Sequence, residues 1–175
     1  LGITIFSSPF DETAVDLLES LNTPAYKIAS FELVDLPLIS YVASKGKPML
    51  LSTGMASQKE INEAVETAKN NGCESILLFH CISSYPAPTK QANLRQIENI
   101  KEKFGVLVGL SDHTIGNTCA VTAVSLGACA IEKHFTISRS NQGPDSSFSM
   151  EPKELKELVN ETNIAWESLG NKSFV

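Results

Sequence analysis

The chain has 175 residues, enough to bury a sizeable core and on the scale of one domain. Twenty acidic against 14 basic side chains give a net charge of −6 and a pI near 5.1, which argues against nucleic-acid binding through a basic face. No apolar run approaches the roughly 20 residues of a membrane span and no signal-peptide pattern is present, so a cytoplasmic location is the default expectation.

Taken in order, the sequence alternates short apolar runs that end in polar clusters with segments of helical periodicity. Leu1 to Phe6 reads directly as a strand, overlapping the first apolar run Ile3–Ser8, and Tyr26–Ser30 is the second run. A helical region follows at Leu36–Ser44, then the run Met49–Thr53. Ser57-Gln58-Lys59-Glu60 is a capping box, and Ile61, Ala64, Val65 and Ala68 fall on one face of the helix it opens, which should stop near Gly72. The run Ile76–Ser83 comes next, and Leu94, Ile97, Ile100 and Phe104 then mark another helix. The run Val106–Ser111 leads through an interval of small apolar residues, Cys119 to Cys129, to the run Ala130–Thr136; this is a βαβ unit with parallel strands. A final helix spans about Pro152 to Leu169, with Leu155, Leu158, Val159 and Thr162 inward. Cys73, Cys81, Cys119 and Cys129 show no C-x-x-C spacing and read as buried, reduced thiols.

Six strand starts recur at roughly 23–30 residues, the spacing of β/α units in an eight-fold barrel. A full barrel takes about 250 residues, so residues 1–175 have room for about six units as one partial (β/α)8 TIM-barrel domain of the α/β class. A six-stranded doubly wound sheet fits the count too, but it concentrates its ligand signals at one switch point behind a glycine-rich turn. Here no G-x-G-x-x-G occurs and polar residues crowd every strand tip, which favours the barrel.

Those tips hold Ser7 and Ser8; Lys27 and Ser30; Ser52, Thr53 and Gly54; His80, Ser83 and Tyr85; Ser111, Asp112 and His113; and Glu132, Lys133 and His134. Small hydroxyls beside a lysine suit a phosphate or carboxylate, and two imidazoles on consecutive strand tips suit a divalent metal. Each has a bland reading as well: a lone strand-end histidine is commonly structural, Ser52-Thr53-Gly54 can simply cap a helix, and Gly143-Pro144-Asp145 has the residue types of a turn. His80, deep in its apolar run, reads as structural or supporting.

The segments Phe6-Ser7-Ser8-Pro9-Phe10, Tyr26-Lys27-Ile28-Ala29-Ser30-Phe31-Glu32, Ser52-Thr53-Gly54-Met55-Ala56 and Tyr85-Pro86-Ala87-Pro88 resemble the sialic acid synthase family. So do Gly109-Leu110-Ser111-Asp112-His113-Thr114, Glu132-Lys133-His134-Phe135-Thr136 and Gly143-Pro144-Asp145, in the family's order and over nearly the whole chain, with the pseudaminic acid synthase branch the most similar. The resemblance implies a (β/α)8 barrel with a small antifreeze-like domain after it, expected to be absent from residues 1–175, and a homodimer of the full-length protein. It implies condensation of phosphoenolpyruvate with an N-acetylated amino sugar, of the N-acetylmannosamine or 2,4-diacetamido-2,4,6-trideoxyhexose kind, to a nine-carbon 2-keto acid and phosphate. Carried over by position, Lys27, Ser30, Ser52, Ser83 and Ser111, with Ser8, would bind phosphoenolpyruvate. His113 and His134 would hold the metal, manganese with magnesium tolerated, and act with Lys27 in catalysis. Tyr85, Glu132 and Asp145 would hold the sugar.

The resemblance further implies a glutamate and a second lysine from two earlier strands, and an arginine from the antifreeze-like domain. None of these segments is in the sequence, so the chain is expected to be inactive alone and to associate through unpaired barrel edges. Two other readings stand beside this one. Lys27 or Lys133 could be the Schiff-base lysine of a metal-free aldolase, or the chain could be a non-catalytic sugar- or partner-binding piece.

Overall fold

The computed structural model describes residues 2–171. Five strands form one sheet in the order β1 (Tyr26–Ile28), β2 (Met49–Ser52), β3 (Ile76–Cys81), β4 (Leu107–Ser111) and β5 (Ile131–Glu132). The registered pairs β1 with β2, β2 with β3 and β4 with β5 are all parallel. Between and around them lie α1 (Glu12–Ser20), α2 (Leu36–Ala43), α3 (Gln58–Asn70), α4 (Gln96–Phe104), α5 (Thr118–Ser125) and α6 (Pro152–Ser168). A doubly wound sheet reverses its strand order at a switch point; this one keeps sequence order throughout, as a barrel wall does. The fold is therefore of the incomplete (β/α)8-barrel type.

The chain divides into two compact units. The first holds the residues up to Phe79 together with Ile100–Leu107; the second holds His80–Asn99 and the residues from Val108 onward. In the first, Tyr26, Ile28, Met49, Leu51 and Leu78 on the strands are fully enclosed, with Val15, Ile39, Val42 and Val65 from the helices. Helix α3 begins where the sequence places it: Ser57 Oγ accepts from the Glu60 N–H at 3.3 Å, and Glu60 Oε2 accepts from the Ser57 N–H at 2.7 Å. In the second, Ala120 of α5, Leu158 of α6 and Met150 form a small core on which Ile131 and Leu155 pack.

Three sequence expectations need correction. Val159, expected inward on the last helix, is 52% exposed, because α6 buries only Leu158 and Ala165 and Val159 lies beside that stripe. The run Ile3–Ser8 does not form a strand, and Leu1 lies outside the described residues. Its one ladder contact is the bridge from Ser7 to Tyr26, where the Lys27 N–H donates to the Ser7 carbonyl at 3.2 Å, and Ile3 and Ile5 are left exposed. Apolar content alone does not make a strand without a partner for its backbone groups. All four cysteines are free and three are buried, but Cys129 is exposed, because α5 ends at Ser125 and the residues after it turn back toward β5. Among the described residues, no helix is long and apolar enough to cross a membrane.

Candidate functional site

In the first unit the strand tips gather a cation and several hydroxyls. Lys27 is 8 % exposed, its Nζ 5.7 Å from the centre of the Phe79 ring. Ser30 Oγ accepts from the Gly54 N–H at 3.2 Å, tying the segment after β1 to the segment after β2. Ser52, at 2 % exposure, points its hydroxyl into the interior with no hydrogen-bond partner, whereas its neighbour Thr53 donates to the Phe79 carbonyl at 3.0 Å. Met55, just beyond, adopts a left-handed φ of 65°, uncommon for a side chain of its size and frequent where loops grip ligands. Glu32, in the turn after β1, also has a buried carboxylate oxygen without a partner. Glu32 receives no role from the sequence; its signal there is its place at the end of the segment Tyr26–Glu32 that carries the family resemblance. Ser8 is half-buried beside buried Pro9.

In the second unit the two consecutive strand tips bring His113 and His134 to a ring separation of 5.2 Å. His113 Nδ1 lies 2.9 Å from the Ile82 carbonyl, which can only accept, so Nδ1 carries the proton of the neutral ring and Nε2 keeps its lone pair. Burial opposes charge on His113, but hydrogen bonding to Cys81 Sγ and the Ile82 carbonyl, with Cys81 and Glu132 nearby, outweighs it and holds the imidazole above its ordinary pKa. His134 is pushed the other way, by burial first and then by His113, against the pull of Asp145 and Glu132. Its Nδ1 is 3.5 Å from Asp145 Oδ2.

Tyr85 packs on both rings, 4.3 Å from His113 and 5.7 Å from His134 between centroids. Its hydroxyl is pushed to a higher pKa by burial and by Cys81, Asp145 and Glu132. Phe148 completes this aromatic wall, 5.6 Å from Tyr85 and 5.1 Å from His134. It was not legible beforehand, since it sits in an aperiodic loop whose position is fixed by backbone bonds from Thr136 to Met150 and from Met150 to His134. Ser111 Oγ donates to Glu132 Oε1 at 2.7 Å. Ser83 Oγ, like that of Ser52, is buried without a partner.

His80 is structural: Nε2 donates to the Ala92 carbonyl at 2.7 Å. Lys133, one of the two lysines that an aldolase could use, is no free amine. Its Nζ is paired with Asp112 Oδ2 at 3.0 Å, with both side chains almost fully enclosed.

Among the described residues, no group of three or more His, Cys, Asp or Glu side chains is arranged to hold a metal. The two imidazoles nonetheless fit a divalent ion in the first transition series. Metal–nitrogen bonds of about 2 Å let two rings at this spacing share one ion, and a set of two leaves positions open for substrate.

The chain as a whole is similar to several known proteins. The sequence profile of the NeuB family matches residues 1–174. The pseudaminic acid synthase of Helicobacter pylori is 48% identical over 159 residues, covering 91% of this chain and 47% of that protein. The N,N'-diacetyllegionaminic acid synthase of Campylobacter jejuni is 42% identical over 172 residues, 97% of this chain and 52% of that one. The crystal structure of an N-acetylneuraminic acid (sialic acid) synthetase from Leptospira borgpetersenii superposes with a TM-score of 0.94 at 38% identity, over 99% of this chain and 60% of that one. The chain thus spans about half the length of the curated relatives it matches.

Proposed function

Because the chain belongs to the NeuB family, we propose that it carries part of the anion-binding and cation-binding machinery of a synthase that joins phosphoenolpyruvate to an N-acetylated amino sugar. The product would be a nine-carbon 2-keto acid of the sialic or pseudaminic type, released with phosphate. The observation that carries this reading is the His113–His134 pair, 5.2 Å apart on consecutive strand tips, with the Nδ1 of His113 already engaged by a carbonyl.

A manganese or magnesium ion held by His113 and His134 would supply a Lewis acid for the sugar's aldehyde oxygen and a template for the two substrates. Lys27 would neutralise the phosphate or carboxylate of phosphoenolpyruvate, with Ser30 and Ser52 as donors and Ser8 at the margin. A buried hydroxyl without a partner costs free energy in the ligand-free protein and is satisfied when a phosphate or carboxylate oxygen arrives; Ser52 fits this description, and so does Ser83. Ser111 would donate to an anion through the same hydroxyl that now bonds Glu132. Glu132 and Asp145 would accept from sugar hydroxyls, while Tyr85, packed against both histidine rings, would orient the sugar. Carbon–carbon bond formation at the aldehyde is followed by addition of water and C–O cleavage, during which Lys27 would stabilise the departing phosphate. The proposal includes a homodimer of the full-length protein on the family resemblance, and keeps the cytoplasmic location as the default expectation from the sequence.

Calorimetric titration of phosphoenolpyruvate into the chain supplied with Mn2+, repeated with Lys27→Ala and His113→Ala, tests it. Binding lost in Lys27→Ala, and kept but made indifferent to Mn2+ in His113→Ala, is the expected result. A folded chain that binds phosphoenolpyruvate equally well in all three forms would sink the assignment.

A further inference from the structure

We infer that Asp112 and Lys133 are a positioning pair that sets the spacing of the His113 and His134 rings, an inference that rests on the cation-binding reading of those rings. Register brings the four residues together. Leu110 stands opposite Ile131 and Ser111 opposite Glu132, and the Asp112 N–H continues the ladder to the Glu132 carbonyl at 2.9 Å. Carried one and two residues further, the same register puts Asp112 opposite Lys133 and His113 opposite His134. Side chains alternate between the faces of a strand. The Ser111–Glu132 hydrogen bond and the His113–His134 ring contact therefore share one face, and the Asp112–Lys133 ion pair lies on the other.

The pair is bonded in a way that fixes the histidines between its own contacts. Lys133 has three N–H donors, and they meet Asp112 Oδ2 at 3.0 Å, the Thr114 carbonyl at 2.7 Å and the Gly116 carbonyl at 3.1 Å. All three acceptors belong to the segment that carries His113, and two of them flank it directly. Asp112 Oδ1 in turn accepts from the Thr114 N–H at 2.9 Å and the Thr114 hydroxyl at 2.8 Å, closing the chain around His113. The lysine end of the clamp is the residue before His134. With side-chain exposures of 5% and 2%, neither charge can relax into water, so movement of one tip relative to the other leaves a charge buried and uncompensated. An apolar pair of similar volume could stabilise the fold as well; what it cannot do is hold both tips through directional bonds.

The double variant Asp112→Leu with Lys133→Met, in which no charge is left unpaired, separates positioning from stability. Three readouts are compared with the unsubstituted chain: cooperative thermal unfolding, the nuclear Overhauser contacts between the two histidine rings, and Co2+ affinity from its visible absorption. The expected result is a cooperatively folded double variant that has lost the ring-to-ring contacts and binds Co2+ on the order of tenfold more weakly or worse. Asp112→Asn combined with Lys133→Met keeps an acceptor for Thr114 and leaves no charge unpaired; the same losses are expected of it, and it decides the matter should the first double variant fail to fold. Retention of the ring contacts in a folded variant overturns the inference. An unsubstituted chain that shows the ring contacts but takes up no Co2+ overturns the cation reading instead, while the ring contacts still decide the positioning role.

Discussion

Ser52 and Thr53 are neighbours with opposite duties. Thr53 bonds its hydroxyl to the Phe79 carbonyl, and Ser52 leaves its own unsatisfied at equal depth. Thr53→Val should cost about 1 kcal/mol of stability in urea unfolding, the worth of one buried hydrogen bond, since the Phe79 carbonyl keeps the Thr53 N–H as a donor. Ser52→Ala should cost nothing in the ligand-free chain or stabilise it by up to about 1 kcal/mol, while weakening phosphoenolpyruvate binding. Equal destabilisation by the two substitutions would show that the Ser52 hydroxyl is structural. His80 makes a prediction in pH. Burial lowers its pKa below 6.5, only partly offset by the Ala92 carbonyl. Above pH 6.5 both folded and unfolded chains hold it neutral. As pH falls through 6.5 the unfolded chain takes up a proton that the folded one refuses, so stability declines until the folded pKa is reached. His80→Gln, which can still donate to Ala92, should show a smaller loss of unfolding free energy between pH 7.5 and 5.5 than the unsubstituted chain. Identical losses would remove His80 from the account.

At the scale of elements, local chemistry was legible where one segment contains its own explanation. The capping box at Ser57 and Glu60 and the apolar stripe of Ile61, Ala64, Val65 and Ala68 define α3 without help from the rest of the chain, and all four stripe residues are buried. Ser57→Ala should therefore cost about 1 kcal/mol in unfolding free energy and leave anion and cation binding unchanged; a binding defect would mean that α3 transmits to the strand tips. The run Ile3–Ser8 failed for the complementary reason, since a strand is a relation between two segments and its ladder reduces to one bridge. The site divides along the same line. Residues at the ends of apolar runs, such as Lys27, Ser52 and His113, could be found from pattern and resemblance. Phe148 and the Lys133–Asp112 bond could not, because a ring in an aperiodic loop and an ion pair across two strands exist only once register is fixed. Lys133 shows what composition without register misses: as a lone strand lysine it suggests a Schiff base, and its bonds to the Asp112 carboxylate and to two backbone carbonyls assign it to holding that segment.

For the molecule as a whole, the open flank of β5 carries the sharpest consequence. This strand pairs with β4 and, among the described residues, with no further strand. Beside it runs a groove of about 450 Å3 lined by Ile131, Leu155, Val159 and Trp166, and Trp166 is 70% exposed. An unpaired strand next to exposed apolar surface is a template for another copy. The net charge of −6 works against that contact, since approaching copies repel. At 0.15 M ionic strength the repulsion is screened beyond about 8 Å, whereas burial of apolar surface is not weakened by salt. Sedimentation velocity on this chain should therefore show concentration-dependent association that strengthens as NaCl is raised from 20 to 300 mM, on the order of a Debye length falling from roughly 20 to 6 Å. Trp166→Lys, which removes the largest exposed apolar side chain and adds a charge to the groove, should shift the chain toward monomer at every salt concentration. Association that weakens with salt would assign the contact to charge pairs instead, and a monomer at all concentrations would mean that the β5 flank is too short and too twisted to recruit a partner.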